Sequence, residues 1–486
     1  MLHCLRFRAR PALVVAALLL TPVAAVAAES EETEKAVEKG KAPVSARSNE
    51  LHGALDMEEQ QRRLAKILPK KAAPPLGVDP VVWDTLVPKD NRPTAARIEL
   101  GRKLYFDMRL SRDGTVACAT CHDVSRGFTD RRAVSEGIGD QLGQRNAPTT
   151  LNAVFFDDLF LDGRADTLEA QAKLPILNPI EMGQPSPEAT MAGIVKDPEY
   201  RRLFRNAYRR EPNYEDLARA IAAFERTLVF LDSPFDRFLA GEENAISSDA
   251  KAGWALFNGK ARCMTCHAMN ASNPIGTDNR FHNVGVSARK QNFEDLVGGA
   301  LKALEKEDGV DVIDRMALET EFSELGRFLV SRQQVDIGAF KTLQVRNVGV
   351  TAPYMHDGSM RTLWDVMDHY NKGGEANPFL DGGIEALALT EDEIDQMVEW
   401  MFSLTDSRLA EQNHAEMEEQ RRIATAKRPF RDDQMAKRNV LPFEDEIRKR
   451  EVRSERGREN VGAEAEQIIR EERGEKSRGQ NIEPEE

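Results

Sequence analysis

The chain has few residues of the kinds that most restrict a fold. Among its 486 residues there are five cysteines: Cys4, Cys118, Cys121, Cys263 and Cys266. The last four fall into two C-x-x-C pairs, so no cysteine is left over for a scattered disulfide framework of the kind small secreted domains use. Aromatic residues make up only 6%, which leaves any large core mainly aliphatic. Positive charge is not in excess: the net charge is −14 and the pI about 5.3. This argues against a general nucleic-acid binder and against an anionic membrane surface as the main partner. Beyond the first 28 residues no stretch is long and apolar enough to span a bilayer, so no stable membrane insertion is expected. Alternating strand patterns are scarce, which predicts an all-α core. The length leaves room for two to four domains.

The N-terminus reads as an address. Arg6, Arg8 and Arg10 precede the apolar run from Ala12 to Leu20, and small residues follow to Ala28. Residues 1–28 are therefore predicted to be a secretory signal peptide, with an uncleaved anchor as the alternative. Export places the mature chain in the periplasm, without Cys4. Residues 29–92 read as a linker and an extended, proline-rich segment containing Pro69, Pro74, Pro75, Pro80, Pro88 and Pro93. Helical periodicity follows. Leu217, Ile221, Phe224, Leu228 and Leu231 share one apolar face, and Thr390 with Glu393 forms a capping-box signal before Ile394, Met397, Val398 and Met401. Residues 288–325 are charged and helix-prone and read as an insertion. Residues 411–486 carry 20 acidic and 17 basic residues with sparse apolar ones, which predicts solvated helix or disorder with His414 exposed.

Each cysteine pair is followed at once by histidine, giving Cys118-Ala119-Thr120-Cys121-His122 and Cys263-Met264-Thr265-Cys266-His267. C-x-x-C-H is the attachment motif of haem c. Two thiols on one helical turn can each bond a porphyrin vinyl group, and the next residue presents an imidazole to the iron. A four-cysteine zinc site is the rival. It commonly uses shorter spacers and has no need of the histidines. Two covalently attached haem c groups are expected, each in its own cytochrome c-like helical shell, about residues 93–245 and 246–410.

Around these motifs the chain resembles the bacterial di-haem cytochrome c peroxidase family, which includes MauG. The resemblance rests on Gly127-Phe128-Thr129-Asp130, Arg145-Asn146-Ala147-Pro148-Thr149, Asp162-Gly163-Arg164, Glu169-Ala170-Gln171-Ala172 and Asn178-Pro179-Ile180-Glu181-Met182 in the first half. In the second half it rests on Phe281-His282-Asn283-Val284-Gly285, Arg346-Asn347-Val348 and Thr351-Ala352-Pro353-Tyr354-Met355-His356-Asp357-Gly358. It covers roughly residues 95–405 and implies that the first haem meets peroxide while the second exchanges electrons. Glu181 matches the distal acid–base residue. Asn146, Thr351 and Pro353 match positions that give oxygens to one calcium ion, a hard cation suited to carbonyls and water. Arg346 and His356 match positions near the haem interface, where structural hydrogen bonds are expected.

Three positions depart from typical members. Ile138 aligns with a histidine that caps the resting first iron, and isoleucine cannot ligate iron, so that haem is expected to be open. Tyr370 aligns with a methionine ligand of the second iron. MauG has tyrosine there, and a phenolate favours oxidised iron where a thioether favours reduced iron. A core tyrosine sharing a face with Leu363 and Met367, or ligation by His369, are the alternatives. Leu161 replaces a tryptophan between the haems and removes an oxidisable ring.

The leading expectation is a periplasmic di-haem peroxidase that reduces hydrogen peroxide to water with electrons from a small redox protein, a cytochrome c or a cupredoxin. A MauG-like enzyme that oxidises a protein substrate is the second reading. A non-catalytic electron-transfer cytochrome is the third.

Overall fold

The computed structural model describes residues 57–68, 78–270, 273–289 and 292–427. The expected signal peptide, most of the expected linker and the chain after residue 427 lie outside the described residues. Helices dominate. Regular strand among the described residues is limited to the antiparallel pair β1 (Phe281–His282) and β2 (Phe340–Lys341), as the all-α expectation requires. The helices of nine residues or more are, in the first half, α1 (Met57–Ile67), α2 (Ala95–Tyr105), α3 (Pro198–Tyr208) and α4 (Tyr214–Glu225). In the second half they are α5 (Ser248–Asn258), α6 (Phe293–Lys306), α7 (Val310–Glu319), α8 (Leu363–Asn371), α9 (Glu391–Ser403) and α10 (Ala410–Lys427). No described helix is long and apolar enough to cross a membrane.

Each half is built on one helix pair that crosses at a glycine. A Cβ on Gly101 of α2 would lie 1.8 Å from the Ala220 carbonyl oxygen of α4. A Cβ on Gly253 of α5 would lie 2.0 Å from the Gln396 carbonyl oxygen of α9. Only a residue without a side chain allows backbones this close. Aromatic rings fill in behind each crossing. Tyr105 packs edge-on against Phe224 at 5.1 Å in the first half, and Trp400 lies 4.3 Å from Phe257 in the second.

The capping box at Thr390 is present: its side chain accepts from Glu393 N–H while Glu393 accepts from Thr390 N–H. Ile394, Met397, Val398 and Met401 are buried as their spacing predicts. Helix α4 starts at the Asn213 cap and stops at Glu225, so Leu228 and Leu231 lie beyond it. Both are buried nonetheless, and Leu228 gives its carbonyl to Asn152 N–H.

Three segments differ from their expected character. Residues 57–67, expected in a linker, form α1, whose Leu64 and Gln60 are buried. Only one face of α1 is covered, and it includes a glutamine, so hydropathy does not show it. The start of the charged tail, residues 410–427, is a helix packed on the protein rather than solvated. Gln412, Glu416 and Gln420 recur every fourth residue on its inner face. Gln412 accepts from Gly127 N–H, Glu416 pairs with Arg131, and Gln420 donates to the Gly349 carbonyl and accepts from Leu363 N–H. A buried face that is polar has no hydrophobic period. His414 on the opposite face is exposed, as expected. Finally, the inserted segment forms α6 and α7 around an apolar core of their own that includes Leu296, Leu301, Val312 and Leu318. It is not an appendage of the second half, because Arg145 and Arg164 of the first half bond to Ser323 and Asp314. Hydrogen bonds join residues 93–245 to residues 246–410. Asn152 bonds to Gln344 at 2.8 Å, and Asn347 donates to the Phe230 carbonyl.

Gln420→Ala leaves the Gly349 carbonyl and Leu363 N–H buried without their partner. It is expected to cost about 1–3 kcal/mol, read as a lower midpoint in thermal unfolding. His414→Ala on the exposed face is expected to stay within about 0.5 kcal/mol of the parent. Equal effects would refute the packed inner face.

Candidate functional site

The two C-x-x-C-H turns fold alike. In each, the histidine N–H bonds back to the carbonyl of the first cysteine, at 3.0 Å for His122 and 2.9 Å for His267. In each, the imidazole Nδ1 faces a carbonyl: that of Phe128 at 3.3 Å for His122, and that of Gly276 at 2.9 Å for His267. A carbonyl accepts only, so Nδ1 carries the hydrogen and Nε2 keeps its lone pair. Burial lowers the proton affinity of both rings, to about 4 for His122. Both are thus neutral imidazoles, the form a metal needs. None of the four cysteines is in a disulfide. Burial pushes Cys118 and Cys263 up to about 12. Among the described residues the cysteines do not converge on one point, which removes the four-cysteine zinc site. The one convergent trio is Cys266, Asp278 and His282. There the His282 ring is held by Asp381 at 2.7 Å and Asp278 at 2.8 Å.

Helix α1 braces the first turn. Gln60 Nε2 donates to the Ala119 carbonyl inside the motif, and its Oε1 accepts from Val124 N–H just after it. On the other side the Tyr105 hydroxyl donates to the His122 carbonyl at 3.1 Å.

Above this turn lies a cavity with about 1320 Å³ of atom-free space, part of it open to solvent. Cys118, Cys121 and His122 line it, together with Leu161, Leu168, Ile176, Ile180, Met182 and Ile221. Glu181 and Glu225 line it as well, and each has a buried Oε2 with no hydrogen-bond partner. Burial raises both carboxyls. Glu225 reaches about 8, with Arg226 pulling it back. Glu181 is raised by burial and then by the Asp314 carboxylate, against the pull of Arg164. An apolar slot with two thiols and an imidazole at one wall and unpartnered acids in its lining fits a covalently held porphyrin.

Ile138 does not line this cavity. Its N–H bonds to the Glu181 carbonyl at 3.0 Å, while its side chain is buried in the core that contains Leu110, Val116 and Met182. His122 is the only histidine among the lining residues. Leu161 lines the cavity, and its carbonyl accepts from Lys341 N–H of β2 at 2.8 Å.

In the second half, Tyr370 near the end of α8 lies within electrostatic reach of Cys263 and Cys266. Burial and those two groups raise its hydroxyl above the ordinary range. His369, the alternative, has both ring nitrogens engaged. Its Nε2 donates to the Val284 carbonyl at 2.8 Å and its Nδ1 accepts from Arg289 at 2.9 Å, so neither nitrogen is spare. Leu363 and Met367 belong to the buried core of this half, and Tyr370 stands outside that cluster.

Asn146 and the loop from Thr351 to Gly358 meet at one seam, where Asn146 N–H bonds to the His356 carbonyl at 2.7 Å. The Thr351 hydroxyl donates to the Val348 carbonyl. His356 bonds to Glu324 and stacks on Phe340, while Arg346 holds Asp236 and the Pro274 carbonyl. Sequence reasoning missed Gln60, Glu225 and Asp314. Glu225 alone carried a signal, an acid on the apolar face of α4.

Paired haem-c turns on a helical scaffold, one beneath a cavity with two acids in its lining, define a di-haem cytochrome of the enzymatic kind. Residues 95–244 match the di-haem cytochrome c peroxidase family. The chain is 37% identical over 321 residues to methylamine utilization protein MauG of Methylorubrum extorquens, a match covering 65% of this chain and 80% of that one. It is 35% identical over 321 residues to the cytochrome c peroxidase Ccp of Escherichia coli, covering 65% of this chain and 60% of that one. In fold it is similar to a MauG-like protein associated with microbial copper homeostasis, with a TM-score of 0.55 and 29% identity over 70% of this chain and 95% of that one. The chain belongs to the di-haem cytochrome c peroxidase family. It is an oxidoreductase that acts on peroxide and carries two haem c groups.

Gly137 sits where the loop that carries Glu181 passes. A Cβ there would lie 1.8 Å from the Ile180 carbonyl oxygen and 2.7 Å from that of Glu181. Gly137→Ala is expected to push this loop aside and destabilise the protein by about 1–3 kcal/mol, the usual scale of overpacking. Unchanged thermal unfolding would show that the loop yields freely.

Proposed function

We propose that this chain reduces hydrogen peroxide in the periplasm at the haem held by Cys118, Cys121 and His122. Electrons would come through a second haem held by Cys263, Cys266 and His267, from a small redox protein such as a cytochrome c or a cupredoxin. Residues 93–245 and 246–410 each carry one haem. The observation that supports this best is the pairing of Glu181 with His122 in one buried cavity to which position 138 brings no imidazole.

A haem held by Cys118, Cys121 and His122 would supply redox chemistry and a coordination site for peroxide. Glu181 does the proton work. Cleavage needs a proton moved from the inner to the outer oxygen of peroxide. A carboxylate can take it and give it back when its proton affinity is not far from the working pH. The burial that raises Glu181 serves this end. The apolar lining keeps bulk water from competing for that proton. Asn146, Thr351 and Pro353 would be the residues to offer oxygens to a calcium ion, a hard cation that takes carbonyls and water.

A second reading, a MauG-like oxidation of a protein substrate, is favoured by one observation. His369 has both nitrogens engaged, which leaves Tyr370 as the side chain of α8 free to ligate the second iron.

The test is stopped-flow absorption of the fully oxidised holoprotein mixed with hydrogen peroxide, without prior reduction. A fast spectral change is expected, and silence until one electron is added would overturn the open first site. Glu181→Gln should keep the resting haem spectra and slow the reaction by about 10²-fold or more, and unchanged kinetics would remove Glu181 from the mechanism. Tyr370→Met should raise the potential of the second haem in a redox titration, and an unchanged potential and spectrum would show that Tyr370 is not its ligand.

A further inference from the structure

The inserted helix α7 reaches into the first site. Asp314 on α7 is buried, and its carboxylate has two partners, both from the first half. Oδ1 accepts from Arg164 Nε at 2.8 Å, and Nη2 of the same guanidinium stands 2.7 Å away as an ion-pair contact. Oδ2 accepts from Asn178 Nδ2 at 2.6 Å. Asn178 begins the loop that ends in Glu181. Its own Oδ1 accepts from Ile180 N–H at 3.0 Å, and its carbonyl accepts from Glu181 N–H at 3.2 Å. Ile180 packs against the apolar core of the insertion, and Leu318, one turn along α7 from Asp314, lines the cavity itself. Arg164 lines the cavity too, with its second edge on Asp162.

We propose that Asp314 is a positioning residue of the peroxide site: by gripping Arg164 and Asn178 together, the inserted helix fixes the loop that presents Glu181. This rests on the role given to Glu181 above. The charged and titratable groups that face Glu181 are Asp314 on α7 and Arg164 on its loop; Cys118 and Cys121 face it too, but as thioethers of an attached haem they do not titrate. Arg164 is shared between Asp162 and Asp314, so its charge is partly spent before it reaches Glu181. Removing the Asp314 charge therefore acts on Glu181 in one direction. A repelling carboxylate is lost and an attracting guanidinium is released, and both favour the ionised form.

The experiment uses the holoprotein and two readouts. One is the infrared carbonyl band of protonated Glu181, identified by its loss in Glu181→Gln and followed against pH. The other is the pH profile of the peroxide reaction, which falls on acidification as Glu181 takes a proton. Asp314→Asn, of the same size, should move both midpoints down by about one pH unit, the scale of one nearby charge. Asp314→Glu keeps the charge but displaces Arg164 and Asn178 by a methylene. It should keep the midpoints and slow the peroxide reaction about tenfold or more, since such sites tolerate little misplacement. Unmoved midpoints in Asp314→Asn with only a lower unfolding temperature, or a parental rate in Asp314→Glu, would reduce Asp314 to a structural ion pair and overturn the proposal. An acid limb that survives in Glu181→Gln would instead overturn the reading of Glu181 on which the proposal stands.

Discussion

The first site depends on four buried charges of alternating sign: Arg145, Asp162, Arg164 and Asp314. Arg145 meets Asp162 at 2.5 Å, Arg164 meets the other oxygen of Asp162 at 3.0 Å, and Asp314 closes the row. Charges of this kind lose several kcal/mol each on leaving water, so none is tolerated alone and each demands the next. Burial drives Asp162 toward the neutral form, yet the two guanidiniums hold it at about 2. Arg164 also lies over the Phe160 ring at 3.6 Å. The row ties the Asp162-Gly163-Arg164 loop to the cavity wall and to the inserted helices. Removing the inserted helices would leave Arg164 with Asp162 alone.

The two halves share a glycine-crossed helix pair and a C-x-x-C-H turn, but they surround the histidine differently. In the first half the space beyond the turn is a cavity lined by acids without partners. In the second half Phe257 lies 6.5 Å from His267, and Tyr370 stands within electrostatic reach of Cys263 and Cys266. A site that must admit a small polar molecule needs room and a proton carrier. A site that only passes electrons needs neither, and is better kept dry and rigid. The asymmetry of Glu181 against Tyr370 follows the same division.

The parts legible in the sequence were those whose signal is chemical or periodic. The haem turns were visible because two thiols and an imidazole must stand at fixed spacing. The core of α9 was visible because its apolar residues repeat. Helices α1 and α10 were hidden because Gln60, Gln412 and Gln420 do their work by hydrogen bonds, and a buried glutamine is indistinguishable from an exposed one in sequence. Asp314 was hidden for a second reason. Its partners, Arg164 and Asn178, lie more than a hundred residues away, and the charged character of its segment reads as solvation. Glu225 sat in plain view on an apolar face, but only the cavity shows which way its carboxyl points.

Leu161 is where the comparison with typical family members becomes physical. The position keeps a side chain in the cavity lining but contributes no oxidisable ring. What joins the halves there is backbone, the Lys341 N–H to the Leu161 carbonyl. Lys341 pairs across the small sheet with Phe281, and the next residue, His282, is fixed between Asp278 and Asp381 close to Cys266. The join is therefore bonded and rigid, and phenylalanine and leucine cannot hold an electron hole as tryptophan can. Charge would cross such a join by tunnelling in one step rather than by resting on a ring midway. Electron supply to the first site would then be set by the spacing of the haems and the potential of the second. On the ligation proposed above, tuning that potential would fall to Tyr370, which lies within electrostatic reach of Cys263 and Cys266.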